Sequence, residues 1–213
     1  MKPKELIRLI NEGESSKLEF KRKINSAQKL AKELSALSNT KGGYLIIGVD
    51  DNGTIYGIQS EKSEIDIIEK ACMFHVYPEI DPEINIVNIF DKDLVVISVE
   101  ESQNKPHKIQ VVDNGSQDSF YKAYIRIGEK CVAASDEMTR LMKSNDEPLK
   151  LSIGDTEKRL FAYLEKKERA TVKDFSKLVN ISERRASRLL IRLVRAGILQ
   201  IHHDTRRDYF TLI

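Results

Sequence analysis

Tryptophan is absent from this sequence, and Phe and Tyr together bring the aromatic share to only 7%. That poverty argues against a sugar-binding surface or an aromatic cage, both of which need flat rings on display. Only two cysteines, Cys72 and Cys131, are present. Two thiols cannot build a disulfide framework, and with no legible export signal both are expected to be reduced. The first residues carry Lys2, Lys4 and Arg8 but lack the apolar core of a secretory signal. No apolar run approaches the roughly 18–20 residues that cross a bilayer. The expectation is therefore a cytoplasmic protein without a membrane partner. Internal repeats and low-complexity stretches are also missing.

What is present is a polar chain that can still bury a core: 213 residues, 40% hydrophobic and 32% charged. That length suits one domain or two small ones. The formal net charge of +2 conceals an asymmetry. From Lys150 onward there are 15 basic residues against 8 acidic, a net of +7, which leaves −5 for residues 1–149. An acidic body with a basic appendage is the pattern expected when one part meets nucleic acid. The stretch Ser144-Asn145-Asp146-Glu147-Pro148, with Gly154 soon after, reads as a linker. It separates domains expected at 1–145 and 152–213.

The first domain reads as α+β, a mixed sheet with packed helices. Residues 3–11 suit a short helix. Lys17 to Lys21 alternates, with Leu18 and Phe20 on one face and Lys17, Glu19 and Lys21 on the other, so a strand is expected. Leu30, Leu34, Ala36 and Leu37 make the stripe of an amphipathic helix over 27–39, which Gly42-Gly43 ends. Tyr44 to Val49 reads as a buried strand. Asp51-Asn52-Gly53 is a hairpin signal, with 54–58 as the returning strand. A helix over 63–73, a hairpin of 84–90 with 94–99, and a late strand over 121–127 complete the domain.

The second domain reads helix, helix, turn, helix, hairpin, the plan of a winged helix-turn-helix. Helices are expected over 155–167, from the Thr171 cap to Val179, and over 183–196 behind a Ser182 cap, with Gly197 just past the end. Strands are expected over 198–202 and 209–213. On the last helix Ala186, Leu189, Leu190 and Leu193 keep core spacing. This leaves Arg184, Arg185, Arg188, Arg192 and Arg195 on or beside the outer face. Arginine pairs bidentately with phosphate and with guanine edges. Arg184, Arg185 and Arg188 lie where a recognition helix enters the major groove, and His202, His203, Arg206 and Arg207 lie on the expected wing. Two adjacent histidines without a further ligand at metal spacing read as a solvated turn, so no metal is assigned there.

Several segments of the first domain carry a resemblance. Glu14-x4-Glu19-Phe20-Lys21, then Asn39-x2-Gly42-Gly43, then Gly48-Val49-Asp50-Asp51 with Gly57, resemble the Schlafen AlbA-like domain in order and spacing. Lys105-Pro106-His107 and Tyr124-Ile125-Arg126-Ile127-Gly128 resemble its second half, and the match runs over about residues 5–140. The resemblance implies DNA binding and transcriptional regulation, since many bacterial relatives carry a terminal helix-turn-helix and are described in those terms. Some relatives are described as ATP-binding, but no Gly-x4-Gly-Lys-Ser/Thr is found here and no cofactor is expected. In animal Schlafens two similar lobes form a basic groove, and three carboxylates cleave structured RNA with a divalent metal. By motif those carboxylates fall on Glu14, Glu19 and Asp50. Glu14 and Glu19 are an odd number apart, so they converge only if Glu14 precedes the strand in a turn. One lobe is present here, and a homodimer would supply the second.

The expectation is thus a homodimeric regulator that binds duplex DNA, with Lys21 among its nucleic-acid contacts. The alternative is a metal-dependent endoribonuclease acting on RNA, and a third reading is a small-molecule sensor built around Gly48–Gly57. Cys72 and Cys131 read as core thiols, His75 and His107 are isolated, and Arg126 on its strand is placed to reach a phosphate, a ligand or the Glu19 carboxylate, with a salt bridge as the default.

Overall fold

Pro3 opens the first helix, α1 (Pro3–Glu12), at a position where its missing N–H is not needed, and Leu6 and Ile10 turn inward. The strand β1 (Leu18–Lys21) follows, then α2 (Ala27–Asn39) behind a Ser26 cap, then β2 (Gly43–Ile47). The computed structural model describes residues 1–112, 119–143, 152–204 and 207–213. The expected linker stretch Ser144–Pro148 and the expected wing residue Arg206 lie outside the described residues. The chain divides into two compact units, Met1–Ala134 and Ser135–Ile213.

In the first unit the remaining elements are α3 (Glu61–Phe74), β3 (Val76–Tyr77), β4 (Glu83–Ile89), β5 (Lys92–Val99), β6 (Lys108–Val112), β7 (Ser119–Ile127) and β8 (Lys130–Ala133). One four-stranded sheet runs β1-β2-β5-β4, with β1 and β2 parallel and the other pairs antiparallel. The second runs β3-β6-β7-β8. The middle strands of the first sheet are apolar without alternation because both faces are covered. Leu45, Ile47, Val95 and Ile97 pack with α2 and α3, while Phe20, Ile46 and Val96 pack with Leu6 and Ile10 of α1. Ile109, Val76 and Tyr124 of the second sheet join the α2 side of this core. Covered by both sheets, α2 buries eight of its residues, the small Ala31, Ser35, Ala36 and Ser38 among them.

The boundaries of α2 fall as the stripe and cap require. Three expectations for this unit are corrected. Residues 54–58 form no strand: Val49 and Ile55 share one isolated bridge, because both edges of β2 are already taken by β1 and β5. The 51–53 turn itself is made, with Gly53 N–H donating to the Asp50 carbonyl at 2.8 Å. The β4–β5 turn falls on Phe90-Asp91, both with positive φ, ahead of the expected Asp91-Lys92-Asp93. Glu19, expected on an outer face, is instead buried, because the second sheet supplies it with a partner.

The second unit contains α4 (Asp136–Met142), α5 (Asp155–Lys167), α6 (Val172–Val179), α7 (Glu183–Arg195), β9 (Leu199–His202) and β10 (Tyr209–Leu212). Its core gathers Leu160 and Leu164, Phe175, Ala186, Leu190 and Leu193, Leu199 and Phe210. Asn180, in the left-handed conformation, ends α6 and turns the chain into α7. Ala170 pairs with Phe210 beside the β9–β10 hairpin, with bonds of 3.0 and 2.8 Å. The unit begins at Ser135 because α4 packs here: Leu141 joins the core, and Glu137 accepts a 2.8 Å bond from the Ser187 hydroxyl of α7.

Candidate functional site

The last helix is held by its apolar side and armed on the other. Ser182 caps α7 by accepting from Arg185 N–H at 3.3 Å, and Ala186, Leu190 and Leu193 are at most 2% exposed. Side chains three and four apart share a helix face, so Arg184, Arg185 and Arg188 stand together on the solvent side, all exposed. No ion pair reaches any of the three among the described residues. Arg192 and Arg195 are half-buried further along and have interaction partners.

Arg184 lines a groove of about 600 Å³ with Lys173 at the start of α6 and Arg207 between β9 and β10. The same groove receives Asp136 and Glu137 from α4, so its walls carry both signs. The turn side of the hairpin is pinned: Asp208 accepts from the Ser135 hydroxyl through one oxygen and from His203 Nδ1 at 2.8 Å through the other. His202 stacks on Tyr209 with ring centroids 4.8 Å apart and bonds Thr211 at 2.9 Å. Each histidine of the pair is thus engaged by a neighbouring side chain. The α6 entrance is a reciprocal cap, in which Thr171 N–H donates to Asp174 at 3.0 Å and Asp174 N–H donates to the Thr171 hydroxyl at 3.2 Å. Burial pushes the Asp174 carboxyl up, but the Thr171 hydrogen bonds outweigh it and hold it below its ordinary value.

The first unit arranges its charges inward. Glu14 sits in the turn before β1, the one placement that lets it approach Glu19, and accepts from Phe20 N–H at 2.8 Å. Burial raises the Glu14 carboxyl above its ordinary value, and the nearby charges of Glu19 and Asp51 add to this. Glu19 gives one oxygen to Arg126 Nη1 at 2.7 Å and the other to the Lys21 ammonium. Arg126 also reaches Glu33 at 3.3 Å and donates to the Ser15 carbonyl at 2.7 Å. Its Nε is buried without a partner among the described residues. Lys21 donates further to the Phe20 carbonyl at 2.9 Å; burial pulls its ammonium down, yet Glu19 more than offsets this and keeps it above its ordinary value. Asp50 stands apart, with its side chain accepting from Asp51 N–H at 3.1 Å as a turn residue does. Among the described residues no three His, Cys, Asp or Glu side chains are grouped to hold a metal ion. Glu14 and Glu19 are therefore neighbours, Asp50 is not joined to them as a third ligand, and the acid facing Glu14 is Asp51. Charge and strand position alone pair Arg126 with Glu19 but miss Glu33, whose helical position gives no hint of a strand partner so far along the chain.

The family model described as Schlafen, AlbA_2 matches residues 14–135, more than half of the chain. The chain belongs to the Schlafen AlbA_2 family. Its Schlafen AlbA_2 region contains the whole Glu14–Glu19–Lys21–Glu33–Arg126 cluster and stops before α5. Two solved structures are similar to it. One is the N-terminal domain of a Nitrosomonas europaea protein named for its relation to the RecG ATP-dependent DNA helicase: 26% identity, 61% of this chain, 91% of that chain, TM-score 0.44. The other is the DIP2311 protein of Corynebacterium diphtheriae: 20% identity, 57% of this chain, 25% of that chain, TM-score 0.43.

The motif residues of this Schlafen AlbA_2 region have structural work that the geometry explains. A Cβ on Gly43, at φ +147, would run into the Lys17 backbone carbonyl, so only glycine lets β1 and β2 meet there. Asn39 ties α2 to the second sheet, donating to the His107 and Tyr124 carbonyls at 2.7 and 2.9 Å and accepting from His107 N–H at 2.7 Å. Cys72 is buried and Cys131 half-buried; burial pushes both thiols up to about 12, where neither acts as a nucleophile at neutral pH. Among the described residues no helix is long and apolar enough to cross a membrane.

Proposed function

We propose that this chain binds duplex DNA through its second unit, read as a winged helix-turn-helix, and acts in transcriptional regulation. The observation that carries the reading is the trio Arg184, Arg185 and Arg188, exposed on one face of α7 with no carboxylate paired to any of them among the described residues. In this reading α7 enters the major groove, where a forked guanidinium can take a guanine edge or a phosphate. Arg207 and Lys173 flank it and contact backbone. Membership in the Schlafen AlbA_2 family fits a role on nucleic acid. The Schlafen AlbA_2 unit serves as the body that brings two copies together, and Lys21 is a candidate contact there.

The endoribonuclease reading needs three carboxylates sharing a cation. Glu19 is committed to Arg126 and Lys21, and Asp50 serves its own turn, so DNA binding is the better-supported reading. One experiment separates them. The full chain is titrated with labelled duplex and, in parallel, incubated with structured RNA and Mn²⁺. Salt-sensitive duplex binding without RNA cleavage supports the regulator. Cleavage that disappears in both Glu14→Ala and Asp50→Ala overturns it in favour of the nuclease. Dimerisation is checked by the solution mass, where a monomer removes that part of the proposal.

A further inference from the structure

The first unit is the acidic part of the chain, yet one cleft in it gathers lysines. The cleft holds about 290 Å³ and is walled by Lys21 and Lys23 from the end of β1, and by Lys29, Lys32 and Glu33 from α2. Its floor is apolar, made by Ile24, Leu30 and Leu45. Against a unit whose overall balance is negative, such convergence is not what a randomly solvated surface gives.

The charges in the cleft can be sorted by partner. Lys21 is committed to Glu19, and the Glu33 carboxylate to Arg126 at 3.3 Å. These two therefore leave little net charge facing the cavity. Lys32 stands over the Tyr124 ring, its ammonium 5.0 Å from the centroid, which orients the side chain without neutralising it. Lys23 and Lys29 are exposed, and no ion pair reaches them or Lys32 among the described residues. Three ammonium groups thus face one small concavity with no ion pair to any of them among the described residues. A phosphomonoester carries about −1.5 to −2 at neutral pH and offers three acceptor oxygens. Ammonium is a compact point charge that suits such a group without demanding a planar fork. The apolar floor can take the organic part of the same ligand, and a space of this size lies at the small end of ligand pockets, far below what a duplex needs.

We propose that the Lys23–Lys29–Lys32 cleft binds a phosphomonoester, either on a free small molecule or at the end of a nucleic-acid strand. The site lies on other residues than the α7 arginines, so a chain that binds no duplex still shows it. The test uses two matched pairs of probes on the full chain by calorimetry: AMP against adenosine, and a short 5′-phosphorylated single strand against its 5′-hydroxyl form. The phosphorylated member of at least one pair binds about tenfold more tightly or better, and that preference vanishes in the Lys23→Gln/Lys29→Gln variant. Both substitutions are at exposed positions, and an unchanged thermal unfolding curve shows that the variant is folded. Preference in the first pair identifies a free ligand, and preference confined to the second identifies a strand end. No preference in either pair, or a preference that survives the double substitution, overturns the proposal.

Discussion

Arginine is used in opposite ways in the two units. In the Schlafen AlbA_2 unit Arg126 is 4% exposed and surrounded by two carboxylates and a carbonyl, joining β7 to β1 and α2. In the second unit Arg184, Arg185 and Arg188 stand on α7 in solvent with no acid paired to them among the described residues. A guanidinium taken out of water must be matched by acceptors, so Arg126 is fixed and its charge is neutralised within the fold. An exposed one loses nothing by waiting and keeps its charge for a partner. The difference shows why the number of basic residues in a unit says less about its ligands than where their charge ends.

The largest effect that sharpens this contrast is on stability. Arg126→Ala removes the partner of a buried Glu19 and is expected to cost about 3–5 kcal/mol in urea unfolding. Arg185→Ala, made on the exposed face, is expected to stay within about 0.5 kcal/mol. Equal losses in the two variants would erase the distinction. Next in size is the cap of the second unit: Thr171→Ala leaves Asp174 and the first turn of α6 short of bonds and is expected to cost about 1 kcal/mol by the same measurement.

The pH response also separates the units by sign. Burial, helped by Glu19, raises Glu33 above its ordinary 4.5, so the folded form holds that proton more tightly than the unfolded chain. Its contribution is complete below pH 4.5 and is lost as pH rises through the folded value. Asp174 is lowered below its ordinary 3.8, so its contribution is present above 3.8 and is lost as pH falls through the folded value. Unfolding followed from pH 3 to 7 is therefore expected to show Glu33→Gln losing less stability than wild type on the alkaline side of 4.5. Thr171→Ala is expected to lose less than wild type on the acid side of 3.8. The smallest effect concerns Asp136, which is exposed and faces the groove that Arg184 lines. Asp136→Asn is expected to strengthen duplex binding about two- to threefold at low salt and not at high salt, where screening removes the difference.

The legible parts of the fold are those set by local rules. Thr171 and Ser182 cap the helices they were expected to cap, and α2 and α5 keep their expected bounds while α7 ends one residue early at Arg195, because caps and periodicity act within a few residues. What escapes depends on distant strands. The short β3 and β8 take their identity from β6 and β7 and carry no strong pattern of their own. The segment 54–58 has strand chemistry but finds both edges of β2 already taken. Helix α4 is hidden because its value lies in its packing with Ser187 and the core of the second unit.

The site follows the same division. The α7 arginines can be placed from spacing alone. The Arg126–Glu19 pair is suggested by charge, whereas Glu33 and the lysine cleft need α2 set against β1 and β7. Of the carboxylates that the family resemblance implies, Glu14 and Glu19 lie near each other and Asp50 accepts within its own turn. Sequence order does not show that Arg126 and Lys21 occupy the oxygens of Glu19.

In the proposed function the α7 face binds a polyanion with charge that the fold leaves unneutralised. The most direct measurement is the salt dependence of duplex affinity for wild type and for the Arg184→Ala/Arg185→Ala/Arg188→Ala variant. The triple variant is expected to bind more weakly, with unfolding unchanged, and to show a log–log slope shallower by about 0.9 for each phosphate that an arginine no longer neutralises. An identical slope in the two proteins would contradict it.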